Sequence, residues 1–370
     1  MKEEKRTVAL LFGGVGCERD VSISAAPYVY SLIDQAKYRI IPLIIEEGGE
    51  LFGASFNSDG GFTKDKTAAH LYRMYGKGGV VRGGDFYPID AAFPLLHGDG
   101  GEDGVVQGAL EMLSIPYVGC DGYCGSVTMD KVYTKIIAES LSVPTAKFVS
   151  ARLKEDSSTD KAQRHTQDKN SSQEVNFSHS AIKELIAKAE CVIDYPMVVK
   201  PTRLGSSFGL SLANNSDELF CGIVSAAKCG DGRVLIEERV NIACEAEVAF
   251  FSAGGVRLIS ECGGIISDGL YDHSQKYEDT SKIKVTKRLD LPLDTAAKIR
   301  EYSSSLADFF GFRHLSRIDF FVTADEKIVF NEINTMPGFT DTSLYPELLR
   351  MSGISPQWAV NAAIEDAIGG

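Results

Sequence analysis

Ser316 to Phe339, SRIDFFVTADEKIVFNEINTMPGF, is the stretch that most constrains this chain. Two apolar runs, IDFFV and KIVFNEI, flank the polar Ala324-Asp325-Glu326, the pattern of a β-hairpin. Side chains two apart on a strand share a face, so Arg317 joins Asp319 on the first strand and Glu332 joins Asn334 on the second. A two-residue turn at Asp325-Glu326 sets Asp319 opposite Glu332 and Arg317 opposite Asn334. Two carboxylates and an amide oxygen then converge on one patch. Such a set suits Mg²⁺, which takes one or two carboxylates and leaves its other positions to water and phosphate. The competing reading is an ordinary surface face with an ion pair. Against it, the apolar flanks imply burial of the opposite face, and carboxylates set together are costly without a cation.

A chain of 370 residues is long enough for two or three domains, and 44% hydrophobic with 24% charged residues is ordinary for a globular protein. Thirty-eight basic against 51 acidic residues leave a net charge of −13, which repels phosphate backbones, so no nucleic-acid partner is expected. MKEEKR leads directly into a short strand, and no apolar run approaches the roughly 18 residues of a membrane span. A cytoplasmic protein without a membrane partner is therefore expected. The 8 cysteines show neither a CxxC pair nor zinc spacing, and most are expected to be small buried apolar residues.

Thr7–Phe12 is expected as a short buried strand opening into Gly13-Gly14-Val15-Gly16, before a helix starts at Asp20-Val21-Ser22. A strand, a glycine turn and a helix N-terminus form a ready anion or carboxylate site. The glycine spacing does not match GxGxxG, so no dinucleotide is expected. Strands near Tyr38–Ile45 and Ala91–Leu96, alternating with helical stretches, imply a parallel α/β sheet with ligand loops at the carboxyl ends of its strands. The second of these ends at His97-Gly98-Asp99-Gly100-Gly101-Glu102-Asp103-Gly104, where His97 is a ligand residue or a helix cap. From Lys154 to Ser180 the composition turns to Ser, Asp, Lys, Gln and His, with too little apolar surface to fold on its own. A helix from Ser180 to Ala189 follows. The strand Pro196–Pro201 carries Lys200 and leads into Arg203-Leu204-Gly205-Ser206-Ser207-Phe208-Gly209, whose small residues can close over phosphates. Val234–Val240 is an apolar strand ending in acids. Ser267–Val285, polar and set between strands, has the character of an active-site lid.

RIDFF followed by NEINTMPGFT resembles the metal-binding signature of the ATP-grasp enzymes, specifically of the D-alanine-D-alanine ligase family with its vancomycin-resistance-type D-alanine-D-serine members. Motifs from Gly13 to Pro346 extend the resemblance over nearly the whole chain. It implies an α/β ATP-grasp fold with an N-terminal parallel α/β domain, three domains in all: 1–120, 121–240 with an insertion at about 155–178, and 241–370 with the lid and metal site. It also implies ATP and Mg²⁺ or Mn²⁺, two ions per site, held by Asp319, Glu332 and Asn334. Arg317 and the Gly338 N–H would face the developing oxyanion. Glu18, in a loop resembling GGxxxERxVS, would anchor the ammonium of the first D-alanine, although Gly16 and Cys17 depart from the pattern. His97 and Glu102, in HGxxGEDG, would line the first substrate site. Lys131 would touch nucleotide phosphate, as would Lys200, with Ser206 and Ser207 in the phosphate loop and Ser206 meeting the lid. Leu204 stands where many members carry glutamate. Glu237 and the backbone from Glu238 to Val240 would meet adenine, and Glu245 or Glu247 the ribose. Lys276 and Tyr277 would close the lid. Ser343 would bind the second carboxylate, with Leu344 favouring a methyl group there.

The implied reaction joins two D-alanines, for peptidoglycan precursors, through an acyl phosphate made with ATP. An amine then attacks, and the lid excludes water that would hydrolyse the acyl phosphate. Alternatives are a D-alanine-D-serine ligase of resistance type and a nucleotide-binding protein of this fold without the activity. The resemblance also implies a homodimer.

Overall fold

The computed structural model describes residues 5–57, 61–74, 76–154, 177–206, 208–267, 283–286 and 288–369. Ser207, Lys276, Tyr277 and most of the polar segment 155–178 therefore lie outside the described residues. The chain divides into two compact units: Met1–Val143 with Ala243–Ile266 and Lys284–Gly370, and Pro144–Ile242 with Ser267–Ile283.

In the first unit, β1 (Arg6–Gly13) leads to α1 (Arg19–Leu32), followed by β2 (Tyr38–Ile45), β3 (Leu51–Phe56), β4 (Phe62–Met74), β5 (Lys77–Arg82), β6 (Asp85–Pro88) and β7 (Ala91–Pro94). They form one sheet in the order β6-β5-β4-β3-β2-β1-β7. β1 runs parallel to β2 and β7, and Val8 to Phe12 are fully buried because helices and a second sheet cover both faces. The expected parallel core is present, but residues 46–90 are not the helical stretches expected between its strands. They form an antiparallel meander instead. The signal lay in Gly83-Gly84: both residues have positive φ, 61° and 92°, the backbone of a tight hairpin turn that pairs Arg82 with Asp85.

Next come α2 (Val105–Met112), α3 (Gly122–Thr128) and α4 (Lys131–Ser140). Asp121 and Asp130 start the last two, accepting the Cys124 and Val132 N–H at 2.8 and 3.1 Å.

The second unit holds β8 (Phe148–Arg152), α5 (His179–Glu190), β9 (Met197–Pro201), β10 (Ser211–Ala213), α6 (Ser216–Cys229) and β11 (Arg233–Glu238). Its antiparallel sheet, β10-β9-β11-β8, packs Val149, Val199 and Ile236 against Ile182, Ile186 and Ile223 of the helices.

The chain returns to the first unit with β12 (Ile242–Ala253), β13 (Val256–Ile259), β14 (Gly263–Ser267), β15 (Ile283–Thr286), α7 (Leu293–Phe310), β16 (His314–Thr323), β17 (Ile328–Asn334), α8 (Leu344–Met351) and α9 (Pro356–Gly369). The sheet order is β15-β14-β12-β16-β17, with β13 on β12. Phe12 and Phe93 of the first sheet share a core with Phe251, Phe339, Tyr345 and Val360. One expectation fails here: Cys17, Cys191, Cys221 and Cys229 are exposed, and only Cys120, Cys124 and Cys262 are buried. Residue type alone cannot say which side of an amphipathic element a cysteine occupies. Among the described residues no helix is long and apolar enough to cross a membrane.

Candidate functional site

The hairpin of β16 and β17 pairs Asp319 with Glu332 and Arg317 with Asn334, as its pattern predicts. The route to that register differs from the expected one. The turn has three residues rather than two, since Thr323 N–H donates to Lys327 O at 3.0 Å and Glu326 takes a left-handed φ of 62°. That slips the register by one. A bulge then restores it: Phe320 faces Phe330 and Asp319 faces Glu332, leaving Asn331 as the extra residue. Without the bulge, Glu332 would point to the apolar side, where Phe330 and Ile333 are buried.

Charge on this face is held by charge. Arg317 Nε and Nη2 donate to Asp319 Oδ1 and Oδ2, both at 2.7 Å, and Nε lies 2.9 Å from Glu247 Oε2. Lys131, the first residue of α4, places Nζ 3.2 Å from Glu332 Oε2. Asn334 Nδ2 donates to Asp319 Oδ2 at 3.1 Å. Burial works against the Arg317 charge, but Asp319, Glu247 and Glu332 outweigh it and hold the guanidinium well above its ordinary range. Two carboxylates and an amide within one hydrogen-bonded patch are a hard-oxygen donor set that fits Mg²⁺ or Mn²⁺. Among the described residues no three His, Cys, Asp or Glu cluster as metal ligands, because the third donor here is the amide of Asn334.

A second group is held by peptide bonds rather than by charge. His97 Nδ1–H donates to Met336 O at 2.8 Å, Met336 N–H donates to Glu102 Oε1 at 2.8 Å, and Gly98 N–H donates to Glu102 Oε2 at 3.0 Å. His97 and Glu102 therefore clamp the loop after β17 from both sides of one residue. Burial pushes the His97 imidazole down to about 4, with Arg317 adding to the effect and the Met336 hydrogen bond opposing it. The ring is neutral at pH 7, and donation from Nδ1 leaves Nε2 a buried acceptor without a protein partner. Burial raises the Glu102 carboxyl to about 7 against the pull of its two N–H donors. The helix-cap alternative for His97 is not what the structure contains. Nothing in the sequence marked Met336 as the clamped residue, because its part is played by its peptide groups.

The loop continues to Ser343, whose Oγ accepts the Thr340 N–H at 3.0 Å and lies 2.7 Å from Thr340 Oγ1. A Cβ on Gly338 would stand 3.5 Å from that Oγ, so the Gly338 backbone and the Ser343 hydroxyl are close neighbours. Leu344 is half-buried at the first position of α8. Arg350 ties this loop to α1, donating to Tyr28 Oη at 2.7 Å and Asp341 Oδ1 at 3.1 Å. Glu18 precedes α1, and a side chain at Gly98, which has φ 64°, would overlap its carboxylate. Ser22 Oγ accepts the Gly13 N–H at 2.8 Å and donates to Leu95 O, joining β1, α1 and β7 beneath the glycine loop.

In the second unit, Lys200 Nζ lies 2.5 Å from Glu237 Oε2, both side chains buried on the neighbouring strands β9 and β11. Glu238 is joined to Lys147, its N–H donating to Lys147 O at 3.0 Å and its Oε1 accepting the Lys147 N–H at 2.9 Å. Val240 lies just beyond β11. Ser206 has a left-handed φ of 48°, uncommon outside glycine and found at built loops. Glu245 and Glu247, back in the first unit, sit two apart on β12, and Glu247 is the one paired with Arg317.

Residues 7–120 match the family described as D-ala D-ala ligase N-terminus, and residues 171–365 match D-ala D-ala ligase C-terminus. The D-alanine–D-alanine ligase of Caldicellulosiruptor bescii is 34% identical over 98% of this chain and 95% of its own length. That of Chlorobium luteolum is 35% identical over 94% and 92%. The fold is similar to that of D-alanyl-alanine synthetase A from Vibrio cholerae, with a TM-score of 0.80, 24% identity and full coverage of both chains. It is also similar to that of VanG D-Ala:D-Ser ligase from Enterococcus faecalis, with a TM-score of 0.79 and 26% identity over 99% of each chain. Matching families at both ends, and relatives at this identity over nearly all of the sequence, place the chain in the D-alanine–D-alanine ligase family.

Proposed function

We propose that this protein joins two D-alanines to D-alanyl-D-alanine with ATP, releasing ADP and phosphate, as a step toward peptidoglycan precursors. The observation that carries the reading is the hairpin face, where Asp319, Glu332 and Asn334 meet beside Arg317. Two Mg²⁺ or Mn²⁺ ions held there would supply charge neutralisation on the phosphates. Arg317 has two of its three nitrogens committed to Asp319 and Glu247, which fixes the plane of the guanidinium and the direction in which Nη1 donates. With the Gly338 N–H it would stabilise the tetrahedral oxyanion, and losing one such donor typically costs about 10² to 10³ in rate. Glu18 takes the first ammonium. His97 and Glu102 hold the loop bearing Gly338, and His97 Nε2 offers that site a neutral acceptor. Lys131 and Lys200, each already beside a glutamate, exchange that partner for phosphate. Ser206 and Ser207 belong to the phosphate loop, and Glu237, Glu238 and Val240 to adenine. Glu245 takes the ribose, since Glu247 is committed to Arg317. Lys276 and Tyr277 close the lid. Location in the cytoplasm and a homodimer complete the reading.

ADP and phosphate release from ATP and Mg²⁺ should depend on D-alanine; release that ignores D-alanine overturns the proposal. The likeness to VanG favours D-serine as a second reading for the acceptor. Leu344 and the curated D-alanine–D-alanine relatives favour D-alanine. An apolar pocket rejects a hydroxyl by only about 10²-fold. Labelled D-alanine competed against equal D-serine, with products resolved by mass, should give mainly D-alanyl-D-alanine; a mainly D-alanyl-D-serine product selects the second reading.

A further inference from the structure

A cavity of about 690 Å³ opens at the amino ends of the parallel strands of the first sheet, walled by Arg6, Arg39, Lys5, Lys77 and Asp90. Gly13 and Glu18 lie at the carboxyl end of β1, which is 8 residues long. At about 3.3 Å per residue, the two ends are on the order of 25 Å apart. The parallel register sets Arg6 opposite Tyr38 and Thr7 opposite Arg39. The two arginines therefore start from opposite faces of the sheet, and both line the cavity.

The charge around this rim runs against the chain as a whole. With 51 acidic and 38 basic residues, a typical cavity wall should favour acids, yet four cations here meet one carboxylate. That carboxylate is engaged, since Asp90 Oδ2 accepts the Thr7 N–H at 2.7 Å. Several cations elsewhere in the same unit do come with acids: Arg19 with Glu46, Arg82 with Asp65, Lys131 with Glu332, Arg317 with Asp319. Among the described residues Lys5, Arg6, Arg39 and Lys77 have no such partner. Lys5 donates to Gln35 O at 2.6 Å, and the Arg39 guanidinium lies over the Tyr87 ring, 5.0 Å from its centroid. Four cations around one cavity, none with an acid partner among the described residues, repel each other, and a bound anion relieves that repulsion. The volume is that of a small-molecule site, and arginine forks are shaped for phosphate or carboxylate.

We propose that this rim cavity binds a small multivalent anion bearing phosphate or carboxylate groups, at a site separate from the ligation centre. The full-length protein is titrated calorimetrically with inorganic tripolyphosphate and, separately, with citrate. Wild type should bind tripolyphosphate in two classes. Arg6→Gln/Arg39→Gln should weaken one class at least tenfold, Lys131→Gln/Lys200→Gln the other, and added salt should weaken the rim class. Binding of both probes at the rim makes the ligand a general multivalent anion, and binding of tripolyphosphate alone makes it a phosphate. If the arginine double variant melts abnormally, Lys77→Gln, on a different strand, should still weaken the rim class several-fold. Unchanged binding of both probes to the folded arginine variant overturns the proposal. So does a single class in wild type that Lys131→Gln/Lys200→Gln abolishes. A single class that the arginine variant removes would count against the nucleotide roles of Lys131 and Lys200 while upholding the rim site.

Discussion

The hairpin face and the His97–Glu102 clamp lie in the same unit, and both are built around buried carboxylates, yet they are stabilised by opposite means. On the hairpin, Asp319 and Glu332 are balanced by Arg317 and Lys131. At the clamp, Glu102 is balanced by the N–H groups of Gly98 and Met336, and its carboxyl rises to about 7 through burial. Formal charges tolerate a ligand's arrival, because a metal or phosphate can replace one ion with another. Peptide dipoles stay where the backbone puts them. The hairpin is therefore suited to exchange partners during turnover, and the clamp to hold a loop still.

The largest expected effect tests the first half of that contrast. Asp319→Asn or Glu332→Gln should lower ligation by more than about 10²-fold. Asp319→Asn should also lower the melting temperature, because it leaves the buried Arg317 without its bidentate partner, whereas the half-buried Glu332→Gln should change it little. Near-wild-type turnover at saturating Mg²⁺ would remove the metal assignment.

Glu102→Gln should act the other way, through structure. A glutamine offers one acceptor oxygen where two backbone N–H groups now bond, so one donor loses its partner, at about 1–3 kcal/mol. A melting temperature unchanged from wild type would show that the clamp carries no stability.

The pH dependence sharpens the same point. His97 has its folded value lowered from 6.5 to about 4 by burial, so the unfolded chain binds its proton first as pH falls. Its contribution is present above pH 6.5 and is lost as pH drops toward 4, on the order of 3 kcal/mol. His314, also buried and lowered to about 4, acts in the same sense. Glu102, raised from 4.5 to about 7, acts oppositely, contributing fully below pH 4.5 and losing its contribution as pH rises through 7. Chemical denaturation across pH 4 to 7 should thus show a net loss of stability toward acid, reduced in His97→Asn. A variant with the wild-type slope would mean that His97 is not buried neutral.

The smallest effect concerns Lys200 and Glu237. Glu237→Gln should weaken ATP binding only several-fold, since the lysine keeps its charge for phosphate and a glutamine can still hydrogen-bond adenine. A loss beyond about 10²-fold in a fluorescence titration would make the Glu237 charge itself essential to the nucleotide site.

Sequence alone determined the strand that opens the chain, the hairpin and its pairing of Asp319 with Glu332, and the lysines on β9 and α4, because strand alternation and residue chemistry are local. It was right about the pairing for an incomplete reason: the three-residue turn and the bulge at Asn331 offset each other, and no local pattern distinguishes that pair of changes from neither. The meander of residues 46–90 was missed although Gly83-Gly84 carried its turn signal. Only the tertiary structure decided that His97 and Glu102 grip Met336, more than 230 residues away in sequence, with separations of 239 and 234. It alone also decided that Glu247 rather than Glu245 pairs with Arg317, and that four cations gather at the rim around a single carboxylate, Asp90. Those contacts run through backbone groups and through residues from separate strands, and neither leaves a period or a motif in the chain.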